Sequence, residues 1–125
     1  MTLDLTDLTT RMLDAARRAG ADQADALARD GSATSIGVRA GKLEEAERSE
    51  GVEIGLRVLV GQRQACVSSS DLRDDAMTEM AERAVAMARA APEDPYAGLA
   101  DPSELSDIRD AAGLDLDDLS DAPDP

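Results

Sequence analysis

Residues 4–19 place apolar side chains where one face of a helix needs them. Leu5, Leu8, Met12, Ala15 or Ala16, and Ala19 recur at helical spacing, while Asp7, Arg11, Asp14 and Arg18 fall on other faces. Arg17 and Arg18 sit in the last turn, beside the negative end of the helix dipole, and Gly20 suits the position just beyond it. The period then drops to two. Ala24, Ala26 and Ala28 alternate with Asp25, Leu27 and Arg29 in a weak strand, which its alanines leave ambiguous with helix, and Gly31-Ser32 interrupts it. Ile36, Val38 and Ala40 alternate with Ser35, Gly37 and Arg39 as a better strand. Gly41-Lys42 reads as a hairpin connection, and Leu43 to Ser49 pairs back as a charged strand. Gly51 opens the clearest strand, with Val52, Ile54, Leu56, Val58 and Val60 on one face and Glu53, Gly55 and Arg57 on the other. Gly61-Gln62 offers the first-position glycine of a type II′ turn. Arg63 to Ser69 returns with Ala65 and Val67 on one face and Cys66 on the other. From Asp71 to Ala91 helical spacing resumes. Met77, Met80, Ala84, Met87 and Ala91 form its face, Ala81 and Ala88 flank it, Ser70, Asp71 or Arg73 marks its start, and Pro92 ends it.

The order α-β-β-β(-β)-α predicts an α+β fold. Its architecture is a two-layer sandwich, an antiparallel meander of three to four strands with two helices on one face. The strand from Val52 to Val60 is expected at the centre, packed against Leu8, Met12, Met80, Ala84 and Met87. The 125 residues include no Phe or Trp, and Tyr96 is the single aromatic, so the core has to be aliphatic.

Charge divides the chain. Asp and Glu number 27 against 13 Lys and Arg, a net of −14 with no histidine. Residues 92–125 hold eleven of those acids, one base (Arg109) and all five prolines: Pro92, Pro95, Pro102, Pro123 and Pro125. Such a composition buries too little apolar surface to offset chain entropy. The expected organisation is therefore an α+β N-terminal domain over 1–91 and an acidic, Pro-rich linker or tail over 92–125, loosely packed beyond about residue 105. The negative charge argues against nucleic acid and anionic membranes as partners. No apolar run approaches the ~20 residues of a membrane span. The opening Met-Thr-Leu-Asp-Leu lacks the basic start of a signal peptide, so the expected location is the cytoplasm.

The chemistry on offer is thin. Without histidine there is no Ser-His-Asp or Cys-His catalysis and no HExxH zinc site, and one cysteine makes neither a disulfide nor a CxxC site. Cys66 lacks a base to take its proton and reads as a strand residue. Ser68-Ser69-Ser70 with Lys42 forms a conceivable Ser-Lys pair but reads first as a loop and helix cap. Glu44, Glu45, Glu47, Glu50 and Glu53 cluster around the central hairpin. Strand alternation sends Glu45 and Glu47 to one face and Glu44 to the other, and Arg39, Lys42, Arg48 and Arg57 can pair with them across strands. Asp115, Asp117 and Asp118 lack the glycine and terminal glutamate of a calcium loop. Glycines 31, 37, 41, 51, 55 and 61 match no phosphate-binding motif. The residues offer no catalytic, cofactor-binding or metal site.

Three stretches carry a resemblance. "AARRAGADQADAL" (15–27), "VRAGKLEEAERSEGVEIGLRVLVGQRQACVSSSDL" (38–72) and "AERAVAMARAAPEDPYAGLADPSEL" (81–105) resemble the N-terminal domain of the TldD/PmbA metallopeptidase family. The likeness covers roughly residues 5–105, and "APEDPYAGLAD" points to the PmbA (TldE) subunit. It implies a subunit of a heteromeric cytoplasmic zinc metallopeptidase acting on unfolded or modified peptides, including microcin precursors and antitoxins, in a family also described as modulating gyrase inhibitors. In that family the zinc lies on a histidine-containing helix in the C-terminal part of the TldD-like subunit. This chain has no histidine, so no metal or catalytic residue transfers to it, and no cofactor is expected in it. The resemblance further implies a longer protein whose C-terminal domain follows the acidic tail, with a TldD-like subunit and unfolded peptides as partners.

Two functions compete. The first is a non-catalytic N-terminal domain serving assembly and substrate confinement in such a complex. The second is a stand-alone module that takes extended peptides by strand addition at an open sheet edge such as Leu43 to Ser49. A third, an acidic mimic of nucleic acid, fails because most of the net charge sits in the tail, where it is not held rigidly.

Overall fold

The computed structural model describes residues 3–121 and 124. Met1, Thr2, Ala122, Pro123 and Pro125 lie outside the described residues, and with them the two ends of the expected 1–91 and 92–125 segments. The elements follow the order α1 (Leu5–Ala19), β1 (Gln23–Arg39), β2 (Lys42–Val60), β3 (Arg63–Ser69), α2 (Asp74–Ala90) and a 3₁₀ turn at Pro102–Glu104. The three strands form one sheet in the order β1-β2-β3, and β2 pairs antiparallel with β3 from Ile54↔Ser69 to Val60↔Arg63. The fold is the expected α+β arrangement.

Two compact units divide the chain. The first comprises Met1–Ala33 and Ser49–Leu99, the second Thr34–Arg48 and Ala100–Pro125. In the first, both helices pack on one face of the sheet. Leu8, Met12, Ala15 and Ala16 of α1 meet Ile54, Leu56 and Val58 of β2 and Met77, Met80, Ala81, Ala84, Val85 and Ala88 of α2, all buried. Ala24, Ala26 and Ala28 of β1 and Ala65 and Val67 of β3 complete this inner face. Small alanines along both helices let the backbones approach the sheet closely, and three methionines fill the remaining irregular space. In the second unit, Thr34–Arg48 is the tip of the β1–β2 hairpin, a two-stranded ribbon exposed along nearly its whole length.

Asp4, which the periodicity places inside the helix, instead caps α1 by accepting from the Asp7 N–H at 3.1 Å, and the C-terminal signal acts as expected. Gly20 takes φ 105° beyond the C-terminus, and its N–H joins the last carbonyls. A Cβ there would stand 2.9 Å from the mobile end of the Arg89 side chain, which can shift, so the positive φ is what calls for glycine.

Four expectations need correction. The weak strand 24–29 and the strand from Ser35 are one continuous β1, and Leu43–Ser49 and Val52–Val60 are one continuous β2. Gly31 and Gly51 stay extended, with no positive φ, so neither punctuates the chain; only three strands exist among the described residues. The first hairpin turns at Ala40-Gly41, one residue earlier than Gly41-Lys42. Both turn residues have positive φ (50° and 76°), the mark of a type I′ turn, whose twist matches that of its strands. The Gly61-Gln62 turn keeps its expected form, with positive φ at Gly61 alone. Finally, α2 starts at Asp74 behind an Arg73 cap and presents Val85 inward, while Met87 is 46% exposed. The buried stripe is thus rotated from the one that includes Met87, because alanines on several faces make the helical pattern nearly degenerate.

Ile54 is 0% exposed at the middle of this aliphatic core. Ile54→Ala should cost about 2–4 kcal/mol through lost transfer energy and a partly relaxed cavity. Glu53→Ala, on the opposite face, should cost under about 1 kcal/mol. Denaturant titration of the two variants checks this, and a larger loss for Glu53→Ala would invert the face assignment.

Candidate interaction surface

The alternation that sends even-numbered residues of β2 into the core sends Glu53, Gly55, Arg57 and Leu59 to the other face. No helix covers that face among the described residues. From β1, Leu27 stands 73% exposed on it, and from β3 come Cys66, opposite Arg57, and Ser68, opposite Gly55. Arg57 and Asp25 form a bidentate pair, Nε to Oδ1 at 2.9 Å and Nη2 to Oδ2 at 2.8 Å. That pair raises the Arg57 pKa above its ordinary value, the hydrogen bonds to Asp25 being the largest cause. Because Gly55 has no side chain, a depression of about 370 Å³ opens between Leu27, Arg57 and Cys66. Its Arg57 guanidinium and Asp25 carboxylate engage each other, and Ala26, Leu27, Leu56 and Val67 make the rest of its lining largely apolar, so its geometry suits reception of an apolar side chain.

One end of this face is closed. Leu59 points away from the helices yet is 0% exposed. The stretch after α2 is pinned at Gln62, whose carbonyl accepts from the Asp94 N–H at 2.9 Å. Arg63 reinforces it by bonding the Ala91 carbonyl and by lying 4.0 Å from Glu93. Leu99 lines a cleft with Leu13, Ala21 and Ala24. In the sheet, Leu59 lies between these anchors: Gln62 is three residues along, and the Asp22 N–H donates to the Leu59 carbonyl at 2.9 Å. Nothing in the periodicity signals this strap; its prolines read as a break.

The other candidates fall into local roles. Ser69 Oγ accepts from the Asp71 N–H at 3.0 Å, and Asp71 in turn holds the Arg73 N–H and guanidinium, forming the turn that leads into α2. The Arg73 contacts pull the Asp71 carboxyl down to about 2. Lys42 belongs to the ribbon of the second unit, where Arg39 and Glu44 pair at 3.6 Å. Arg57 serves Asp25 and not the glutamate cluster. Asp118 accepts from Ser120 through both its N–H and hydroxyl, and Asp115 takes φ 50°. Arg11 bridges to Asp74 and Asp7 across the helix pair. Among the described residues no three His, Cys, Asp or Glu side chains are grouped to hold a metal ion, and no helix is long and apolar enough to cross a membrane.

Comparison with known proteins adds a family signal that coincides with the sheet. The family model described as PmbA/TldA metallopeptidase domain 1 matches residues 24–88, from β1 to the last turn of α2. A solved structure from Bacteroides thetaiotaomicron, a "putative modulator of DNA gyrase", has the same fold with a TM-score of 0.74 at 21% identity over 84% of this chain. The chain spans 24% of that protein's length. No curated protein matches it.

A Cβ built on Gly55 would lie 3.9 Å from the Leu27 and Val67 carbonyl oxygens, ordinary contact distance, and the residue has no positive φ. Gly55→Ala should therefore fold normally and leave stability unchanged or higher by up to about 1 kcal/mol, since glycine weakens a strand interior. Thermal unfolding of the variant decides. A loss of similar size would mean the depression is needed by the fold itself.

Proposed function

Since the chain belongs to the PmbA/TldA metallopeptidase family through that family's first domain, we propose that it acts as the non-catalytic N-terminal domain of a PmbA-like subunit in a TldD/PmbA-type peptidase complex. In this reading residues 1–91 are the domain, 92–125 link it to a C-terminal domain, and the complex works in the cytoplasm on unfolded or modified peptides. The domain contributes assembly and confinement of substrate. The observation that carries the proposal is the sheet face left uncovered around Gly55, where a leucine 73% exposed borders a receptive depression. A face of that kind suits packing against another body.

The family's zinc does not fit this chain. Zinc favours nitrogen and sulfur donors, and here there is no histidine, one cysteine and no acidic cluster of ligand geometry among the described residues. The zinc chemistry therefore belongs to the TldD-like partner subunit in this proposal, and no step is routed through these residues. The alternative, a stand-alone peptide-binding module, draws on a different feature, the ribbon of the second unit.

Two measurements test the proposal. Metal analysis after dialysis should find no stoichiometric zinc, and an unfolded peptide should survive incubation with the chain. One tightly held zinc with chelator-sensitive cleavage would contradict this. Mixed with a TldD-like subunit from the same genome, the chain should co-elute in gel filtration, and Leu27→Asp should abolish co-elution without unfolding the chain. Failure of the unmodified chain to co-elute would defeat the assembly role.

A further inference from the structure

The β2–β3 ladder ends at Ile54↔Ser69, so β3 runs beside only the second half of β2. Along Lys42–Glu47 the side of β2 away from β1 adjoins no other strand among the described residues. Such a strand edge presents backbone donors and acceptors to whatever extended chain arrives. Side chains decide which chain that is. Glu45 and Glu47 share a face, about 6.8 Å apart along the strand. Neither has a cationic partner among the described residues, whereas Glu44 is engaged by Arg39. Across the hairpin Glu45 meets Gly37, with no opposing side chain: a Cβ on Gly37 would lie 3.5 Å from that of Glu45. The Glu45 carboxylate can therefore lean to the open side.

From this geometry we propose that the Lys42–Glu47 edge takes an extended peptide strand carrying cations at alternate positions, Arg or Lys at i and i+2, against Glu45 and Glu47. Cross-strand pairing of opposite charges supplies the preference, and the backbone ladder supplies the attachment. In the register that sets Glu45 against Glu45 a second copy opposes like charges, and residues 92–125 of the chain itself carry eleven acids and one arginine, so neither matches this edge as a cationic strand does. The proposal deepens the reading of the domain as an interaction module, and it uses residues that the Gly55 face does not.

The test titrates the isotope-labelled 125-residue chain with a short acetylated and amidated peptide alternating Arg and Thr. Two controls accompany it, an Asp/Thr peptide and an Arg/Thr peptide interrupted by proline. The Arg/Thr peptide should shift and slow the exchange of amides within 42–47 and should lose affinity as salt rises. The double variant Glu45→Gln, Glu47→Gln, whose exposed side chains hold nothing in place, should weaken binding about tenfold, a difference of ~1.4 kcal/mol. Equal binding of the proline-interrupted peptide would reduce the effect to charge attraction and overturn the proposal. Unchanged affinity in the double variant, shifts confined to 63–69, or no binding at millimolar peptide would overturn it as well. The double variant should still co-elute with the TldD-like subunit, so failure at this edge and failure of the assembly role are separately visible.

Discussion

Everything in the first unit hangs on one aliphatic contact: the inner face of β2 pressed against two helices rich in alanine and methionine. Ile54, Leu56 and Val58 project to that side because successive strand residues alternate, and with no Phe or Trp in the chain no other set could close the core. The same alternation is what delivers Gly55, Arg57 and Cys66 to the opposite side. A one-residue slip of β2 would bury Arg57 and expose Ile54, so the core fixes the composition of the outer face as firmly as its own. Burial on one side and availability on the other are one constraint seen twice.

That constraint explains how a domain with so little reactive chemistry can still have a function. Many of its polar groups already engage one another: Asp25 holds Arg57 across the sheet, Asp71 holds Arg73 and Ser69 holds the Asp71 amide. What remains available is surface of two kinds. One is a depression in a sheet whose second face has no helical cover among the described residues; the other is a ribbon with an open strand edge and two carboxylates that meet no cation among those residues. Both suit contact with other chains.

Much of this was legible in the amino-acid order, for physical reasons that differ by element. Val52 to Val60 shows a strict two-residue period with branched side chains, so the central strand and its inner face could be assigned directly. Gly20 and Gly61 act through local backbone geometry and were equally readable. The lengths of β1 and β2 were not, because Gly31 and Gly51 look like breaks until partner strands hold them extended. The choice between Val85 and Met87 could not be made within α2, where alanines blur the face. Leu59, the strap at Asp94 and the Asp25–Arg57 pair depend on contacts between residues distant in sequence, and the depression at Gly55 exists only because its neighbours stand higher.

Cys66 offers the most direct check, since it is the only thiol in the chain and lies on the outer face opposite Arg57. Its rate of reaction with a bulky disulfide reagent reports whether that face is open. In the native chain the thiol should react at a rate approaching that of the unfolded chain, and a bound TldD-like subunit should slow it. A thiol that reacts only after denaturation would show that the face is already covered, and would contradict the account.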